Sequence, residues 1–293
     1  MKTRIAINGF GRIGRVTARI LLGRTDLELV AVNDLTDNKT LAHLFKYDSV
    51  HGVYKGEVSF GDDHLNLGGT KVKAFAEKDP SKLPWKELGI DVVIECTGFF
   101  LTRDSAGGHL KAGAKKVVLS APAKDPSIKT VVLGVNDHIM DGKEDIISNA
   151  SCTTNCAAPM IQALHEFCVI EDGFITTVHS YTGDQRLHDA PHKDLRRARA
   201  AAISMVPTTT GAAKAITRIF PELDGKLGGC GIRVPVPDGS ITDITCKVKT
   251  LHTADQINAR FKELANGKLK GILRYTEDPI VSVDIVGDPN SCI

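Results

Sequence analysis

Short runs of Val, Ile and Leu recur through the first half of the chain, at Arg4–Asn8, Leu27–Asn33, Val92–Cys96, Lys116–Ser120 and Thr130–Val135. Runs that are apolar on both faces are the mark of buried parallel strands. Between the first two, Val16, Ile20 and Leu21 fall at helical spacing, which predicts a helix over Gly14–Leu22. Strands alternating with helices imply βαβ units and a doubly wound parallel sheet. Tyr54–Ala76 instead alternates apolar and polar residues around Gly61-Asp62-Asp63 and Gly68-Gly69, and reads as a small antiparallel excursion.

The pattern changes after about residue 150. Over Ser240–Lys249, Ile244, Cys246 and Val248 alternate with Thr245, Lys247 and Lys249, the period of a strand with one buried face. Phe174–His179 and Cys230–Val236 are expected as its neighbours in a sheet. Ile257, Phe261 and Leu264, with Asp255 in the first turn, predict a helix over Thr253–Ala265. The expected fold class is therefore α/β followed by α+β: a doubly wound parallel sheet in residues 1–150, then a mostly antiparallel domain in residues 151–293.

The first helix carries chemistry at its start. Asn8-Gly9-Phe10-Gly11-Arg12-Ile13-Gly14 contains G-x-G-x-x-G between a strand and a helix, and Asp34 follows Gly14 by 20 residues, just past the second strand. That context is the dinucleotide-binding fingerprint of a Rossmann-type domain, whereas the glycine pattern alone is weak. Gly9 permits the tight turn, Gly11 lets backbone approach a pyrophosphate, and Gly14 lets helix and strand pack closely. Asp34 would accept hydrogen bonds from the ribose hydroxyls and repel a 2′-phosphate, which points to NAD. A glycine-rich βα turn in some other open sheet is the plainer alternative.

Composition narrows the setting. Of 293 residues, 42% are hydrophobic and 25% charged, and the net charge is +2, so no strong field argues for nucleic acid or a membrane surface. No segment approaches the roughly 20 apolar residues that a spanning helix needs. Seven scattered cysteines, an odd number with no secretory signal, read as reduced thiols in a cytoplasmic protein, and none has zinc-site spacing, so no metal is expected.

Cys96, Cys168, Cys230 and Cys246 lie in apolar runs and read as small core residues. Cys152 differs. It sits in Ser148-Asn149-Ala150-Ser151-Cys152-Thr153-Thr154-Asn155-Cys156, a hydroxyl-rich run before the helical pattern Met160, Ile161, Leu164, Phe167. A thiol at a helix N-terminus is drawn toward thiolate, the nucleophilic form. His179 ends the strand candidate Ile175-Thr176-Thr177-Val178 beside a polar loop and is the natural partner for an activated cysteine, although most histidines in a chain are structural.

Ser151-Cys152-Thr153-Thr154-Asn155 resembles the signature of the phosphorylating glyceraldehyde-3-phosphate dehydrogenases. Asn8–Arg15, Glu95-Cys96-Thr97-Gly98, His179-Ser180-Tyr181-Thr182, Pro207–Lys214 and Arg233-Val234-Pro235 are similar to that family's motifs in the same order along the chain. The resemblance implies that Cys152 attacks an aldehyde, that His179 promotes the thiolate and takes the hydroxyl proton during hydride transfer, and that inorganic phosphate cleaves the resulting thioester. It places Thr182, Arg197 and Arg233, with Ser151, Thr153, Thr210 and Gly211, around the substrate's phosphate and the attacking phosphate. It places Gly9, Gly11, Arg12, Ile13, Gly14, Asp34, Lys78, Thr97 and Ser120 at the NAD site. It also implies a homotetramer, with a loop over roughly Tyr181–Pro207 near subunit interfaces. Lys193, Arg196, Arg197 and Arg199 make that loop basic, but no aromatic residues interleave with them as nucleic-acid stacking requires.

Three departures accompany the resemblance. The chain stops at Cys292-Ile293, where family members continue with an asparagine that orients the nicotinamide amide and a helix that packs on the cofactor domain. An exposed apolar groove and loosely held nicotinamide are the expected consequence. Ala190-Pro191 replaces Leu-Pro of NAD-specific members, which leaves some NADP use open against Asp34, and Lys78 replaces an arginine. Erythrose-4-phosphate and aspartate-semialdehyde dehydrogenases share the cysteine chemistry; Arg233 and Thr182 favour the phosphorylated triose. A truncated, poorly active NAD-binding protein is the reading from a different class.

Overall fold

The first apolar run forms strand β1 (Thr3–Asn8), and a glycine-rich turn leads directly into helix α1 (Arg12–Leu22) and then β2 (Leu27–Asn33). These come from a computed structural model, which describes residues 2–293. The chain continues through α2 (Asn38–Lys46), the two-residue pair β3 (Tyr47–Asp48) and β4 (Gly52–Val53), then β5 (Val58–Phe60), β6 (His64–Leu67) and β7 (Thr70–Phe75). After them come β8 (Val92–Glu95), α3 (Arg103–Lys111), β9 (Lys116–Leu119), β10 (Lys129–Thr130) and β11 (Ile146–Ser148).

Nine of these strands make one sheet in the order β10-β11-β9-β8-β1-β2-β7-β6-β5. Every pairing from β10 to β7 is parallel, and β7-β6-β5 is an antiparallel meander, the excursion expected from the alternation at Tyr54–Ala76. Parallel strands covered on both faces need apolar residues on both, and β1 and β2 supply them: Ile5, Ile7, Leu29 and Val32 pack with Phe10, Leu41 and Phe45. Ala6, Val30 and Ala31 face the other way, onto Trp85, Ile90 and Val93.

One expected strand is not there. Beyond Thr130, the run Val131–Val135 turns instead of extending: Asn136 Oδ1 takes the Val132 N–H at 2.7 Å, and the N–H groups of Val135 and Asn136 both return to the Val132 carbonyl. Gly134, at φ +74°, completes the turn. The apolar run has the pattern of a strand because burial alone does not distinguish extended from turned backbone.

Residues 151–293 hold α4 (Cys152–Cys168), β12 (Ile170–Ser180), β13 (Val206–Thr208), α5 (Ala212–Ile219), β14 (Leu227–Val234), β15 (Ile241–Val248) and α6 (Ala254–Asn266). Their sheet runs β13-β14-β12-β15. It is mostly antiparallel, as expected, at β13/β14 and β12/β15, but the central β12/β14 pairing is parallel over eight residue pairs, so the sheet is mixed. The connection between β12 and β14 contains α5 and crosses back, which a period-of-two pattern cannot reveal. Strand β15 alternates exposed and half-buried residues as its sequence predicts, and α6 opens with a reciprocal capping box between Thr253 and Gln256. The chain divides into two units, one of residues 1–131 with 139–150, the other of 132–138 with 151–293.

Candidate active site

In the second unit, the turn into α4 sets the thiol. Ala150 holds a left-handed φ of +57°, an unusual conformation for a residue with a side chain, and Ser151 follows as N-cap. Ser151 Oγ accepts from the Thr154 N–H at 3.1 Å, and its carbonyl accepts from Asn155 Nδ2 at 3.0 Å. Cys152 is thus the first residue of a 17-residue helix, where N–H groups lack helical partners and the helix end is positive.

His179 reaches Cys152 from near the end of β12, with Nε2 3.2 Å from Sγ. Its other nitrogen lies 2.7 Å from the Ser180 carbonyl and 2.8 Å from Arg233 Nη1. Both contacts cannot be hydrogen bonds to Nδ1. A carbonyl only accepts and a guanidinium only donates; once the imidazole has taken the thiol proton both ring nitrogens carry hydrogens, so Nδ1 then donates to Ser180 and Arg233 donates elsewhere. Arg233 Nη1 has alternatives in the Ser180 carbonyl at 3.1 Å and Thr182 Oγ1 at 3.4 Å. That arrangement leaves Nε2 free to exchange a proton with the thiol. The crowding of protein around the sulfur would raise its pKa, but the hydrogen bond and charge of His179, with the backbone N–H and hydroxyl of Thr153, outweigh it and pull the thiol below its ordinary value.

Sheet register delivers the cation. His179 pairs with Arg233 across the parallel β12/β14 ladder, and Arg233 pairs with Val206 on its other side. Burial and the neighbouring charge of Arg197 make the Arg233 cation less favourable than usual, a setting that an anion would relieve. Arg197 is held by Asp184 at 2.5 Å, with Asp194 at 3.6 Å, while its Nε donates to Thr208 Oγ1 at 3.1 Å. Nothing in the sequence marks Asp184 and Asp194 for this role, because acidic residues in a polar loop carry no pattern. Thr210 Oγ1 accepts from the Ala212 N–H, and Gly211 is the N-cap of α5, with open space where a side chain would stand. The structure thus links Cys152, His179, Arg233 and Thr182 directly. Arg197 joins them through Thr208 on β13, and Ser151 and Thr153 flank the sulfur. Among the described residues Thr210 and Gly211 form no hydrogen bond to that group; they stand at the start of α5.

The residues expected at the cofactor lie in the first unit, following the carboxyl ends of β1, β2, β7, β8 and β9. A side chain at Gly9 (φ +91°) would meet the Thr97 N at 2.7 Å, and one at Gly14 would meet the Gly9 carbonyl oxygen at 2.1 Å. Gly11, by contrast, has nothing within 4 Å of where its Cβ would be. It is the N-cap of α1, has no side-chain cap, and no acidic residue stands in the first helical turn. An uncapped helix start facing open space fits a diphosphate. Asp34 is oriented by the Phe10 N–H on one carboxylate oxygen (2.7 Å) and the Thr36 N–H on the other (3.0 Å), leaving lone pairs for a ribose. Arg12, Ile13 and Lys78 are exposed around this end, and Ser120 donates its N–H to the Glu95 carbonyl. The thiols assigned to the core are buried at Cys168 and half-buried at Cys96, Cys230 and Cys246. Among the described residues no group of His, Cys, Asp or Glu could hold a metal ion, and no helix is long and apolar enough to cross a membrane.

Two family models match the chain: the glyceraldehyde 3-phosphate dehydrogenase NAD binding domain over residues 3–103, and the C-terminal domain of the same enzyme over residues 151–293. Curated glyceraldehyde-3-phosphate dehydrogenases match it end to end. That of Mycobacterium tuberculosis H37Rv is 56% identical over 300 residues, covering 100% of this chain and 88% of the relative. Those of Mycolicibacterium smegmatis (301 residues) and Streptomyces avermitilis (294 residues, its enzyme 2) are each 55% identical with the same coverage. The chain therefore belongs to the glyceraldehyde-3-phosphate dehydrogenase family, as an NAD-dependent oxidoreductase with a Rossmann-type cofactor domain and a mixed-sheet catalytic domain.

Proposed function

We propose that Cys152 and His179 carry out the family's reaction here: oxidation of glyceraldehyde 3-phosphate to 1,3-bisphosphoglycerate with inorganic phosphate, in residues 151–293, with NAD held by residues 1–150. The observation that carries the assignment is the 3.2 Å contact between Sγ and Nε2, with Nδ1 committed to a carbonyl. His179 takes the thiol proton, the thiolate adds to the aldehyde carbon, and the imidazolium returns the proton to the new alkoxide, giving a thiohemiacetal and a neutral His179. NAD+ supplies the acceptor for the hydride that this carbon then loses. As it does so, His179 Nε2 takes the hydroxyl proton, and the C–O bond becomes the carbonyl of a thioester. Phosphate attacks that carbonyl, the C–S bond breaks, and Cys152 leaves as thiolate.

Arg233 and Arg197, with Thr182, Ser151, Thr153, Thr210 and Gly211, bind the two phosphates in this reading. Guanidinium forks, hydroxyls and helix-start N–H groups suit that task. Gly9, Gly11, Arg12, Ile13, Gly14, Asp34, Lys78, Thr97 and Ser120 serve the cofactor. The working form is a homotetramer in the cytoplasm, supported by the exposed apolar side chains of Leu187, Leu195, Ile203 and Met205 on the loop before β13.

The test is NADH formation from glyceraldehyde 3-phosphate with and without phosphate. Turnover should require phosphate and vanish in Cys152→Ser. Turnover that persists without phosphate would mean a hydrolytic aldehyde dehydrogenase instead.

A further inference from the structure

Glu95 closes β8 in the middle of the nine-stranded sheet and is 1% exposed, yet nothing in the reaction above uses it. Its Oε1 accepts from the Thr97 N–H at 2.7 Å and from the Thr97 hydroxyl at 2.5 Å. Its Oε2 accepts from Asn8 Nδ2 at 2.6 Å and meets His109 Nε2 at 3.1 Å. The direction of that last contact is settled by Trp85, whose indole N–H can only donate and lies 3.0 Å from His109 Nδ1. Nδ1 is therefore the acceptor, Nε2 carries the hydrogen, and His109 is a neutral donor to Glu95. Four donors fill the four lone-pair positions of a carboxylate.

The chain of bonds continues outward. Asn8 Oδ1 accepts from Asn33 Nδ2 at 2.7 Å, and Asn33 is clamped to the Glu77 backbone, giving Nδ2 to its carbonyl and taking its N–H on Oδ1. Neither amide can turn over, because the Glu77 backbone fixes one end and the carboxylate the other. Three members immediately precede a proposed cofactor residue, Asn8 before Gly9, Asn33 before Asp34 and Glu77 before Lys78, and Glu95 lies two before Thr97.

Building on the assignment of the NAD site, we infer that Glu95 is a positioning residue for the cofactor. Its buried carboxylate is the common acceptor that holds the ends of β1, β2 and β8, and so the residues that receive NAD, in register. A glutamine at 95 has the same shape but offers one acceptor oxygen for four donors. Two donors lose their partner, and the fixed polarity of Asn8 and Asn33 prevents a compensating flip.

The experiment compares Glu95→Gln with the parent for NAD+ binding by calorimetry, for both KM values, and for iodoacetamide labelling of Cys152 without cofactor. The expected result is an NAD+ Kd and KM raised about 10-fold. The KM for glyceraldehyde 3-phosphate and the cofactor-free labelling rate should stay within about twofold, since none of the bonds to Glu95 comes from Cys152, His179 or Arg233. Adding Asn8→Asp, which returns one carboxylate to accept from Asn33 and from the new amide, should recover part of the affinity. Unchanged NAD+ affinity in Glu95→Gln overturns the inference, as does a uniform loss of both KM values, labelling and melting temperature, which marks general unfolding. Should Glu95→Gln not fold, Thr97→Val removes one of the four donors; it should weaken NAD+ about threefold, and an unchanged Kd overturns the inference. A parent that fails to bind NAD+ would instead refute the cofactor site itself.

Discussion

At Cys152 two opposing effects meet, crowding that favours the neutral thiol and a helix start with an imidazole that favours the thiolate. The balance is tipped toward the thiolate by the imidazole, whose Nε2 lies 3.2 Å from the sulfur while Nδ1 on its far side lies 2.7 Å from the Ser180 carbonyl. Replacing His179 by Asn removes the stronger of the two thiolate-favouring effects. The pH midpoint for alkylation of Cys152 should lie below the ordinary thiol value in the parent, since more thiolate is present at a given pH when the pKa is lowered. In His179→Asn it should climb back toward that value, and kcat should fall by about 10²–10⁴-fold, the range for a lost general base. A midpoint that does not move would show that the helix start alone ionises the sulfur.

At the scale of elements, the βα turn separates two roles that the G-x-G-x-x-G pattern merges. Gly14 is needed by the fold: any Cβ there would overlap the Gly9 carbonyl at 2.1 Å, forcing α1 away from β1. Gly11 is not: its φ is −71°, and nothing stands where its Cβ would go. Gly14→Ala should therefore cost about 1–3 kcal/mol of stability as overpacking does, seen as a lower melting temperature with or without NAD+. Gly11→Ala should leave the cofactor-free protein within about 0.5 kcal/mol of the parent and weaken NAD+ alone. Equal destabilisation by both would mean that Gly11 is also a packing glycine. The glycines were legible in the sequence, but which ones serve the backbone and which serve the ligand was not, because that depends on what lies across the turn.

For the molecule as a whole, the loop over residues 181–207 has little apolar packing of its own. Leu187, Leu195, Ile203 and Met205 are 74–83% exposed, while Arg197 and Arg199 are tied down by Asp184 and Asp189. Apolar side chains presented on a loop fixed by ion pairs suit a contact between copies of the chain. Sedimentation should find a tetramer, and Leu195→Asp with Ile203→Asp should shift it to smaller species without altering secondary structure. A parent that sediments as a monomer at all concentrations would remove this reading.

Local chemistry along the chain was sufficient to determine the apolar strands and the first helix of residues 1–150, the glycine turn with Asp34 behind it, the cap before Cys152 and the helix over 254–266; α2 and α3, with weaker apolar periodicity, were not legible there. Each depends on neighbours within a few positions: side-chain period, capping hydroxyls and glycine backbone freedom all act over a turn or two. Tertiary structure alone decided that β12 and β14 run parallel, that Val131–Val135 turns, and that Arg233 stands beside His179 from 54 positions away. It alone decided that Glu95, a single charge in an apolar strand, would gather Asn8, Thr97 and His109. Pairing direction and buried hydrogen bonds depend on which segments meet across the fold, and that meeting is set by the burial of the whole core rather than by any one segment.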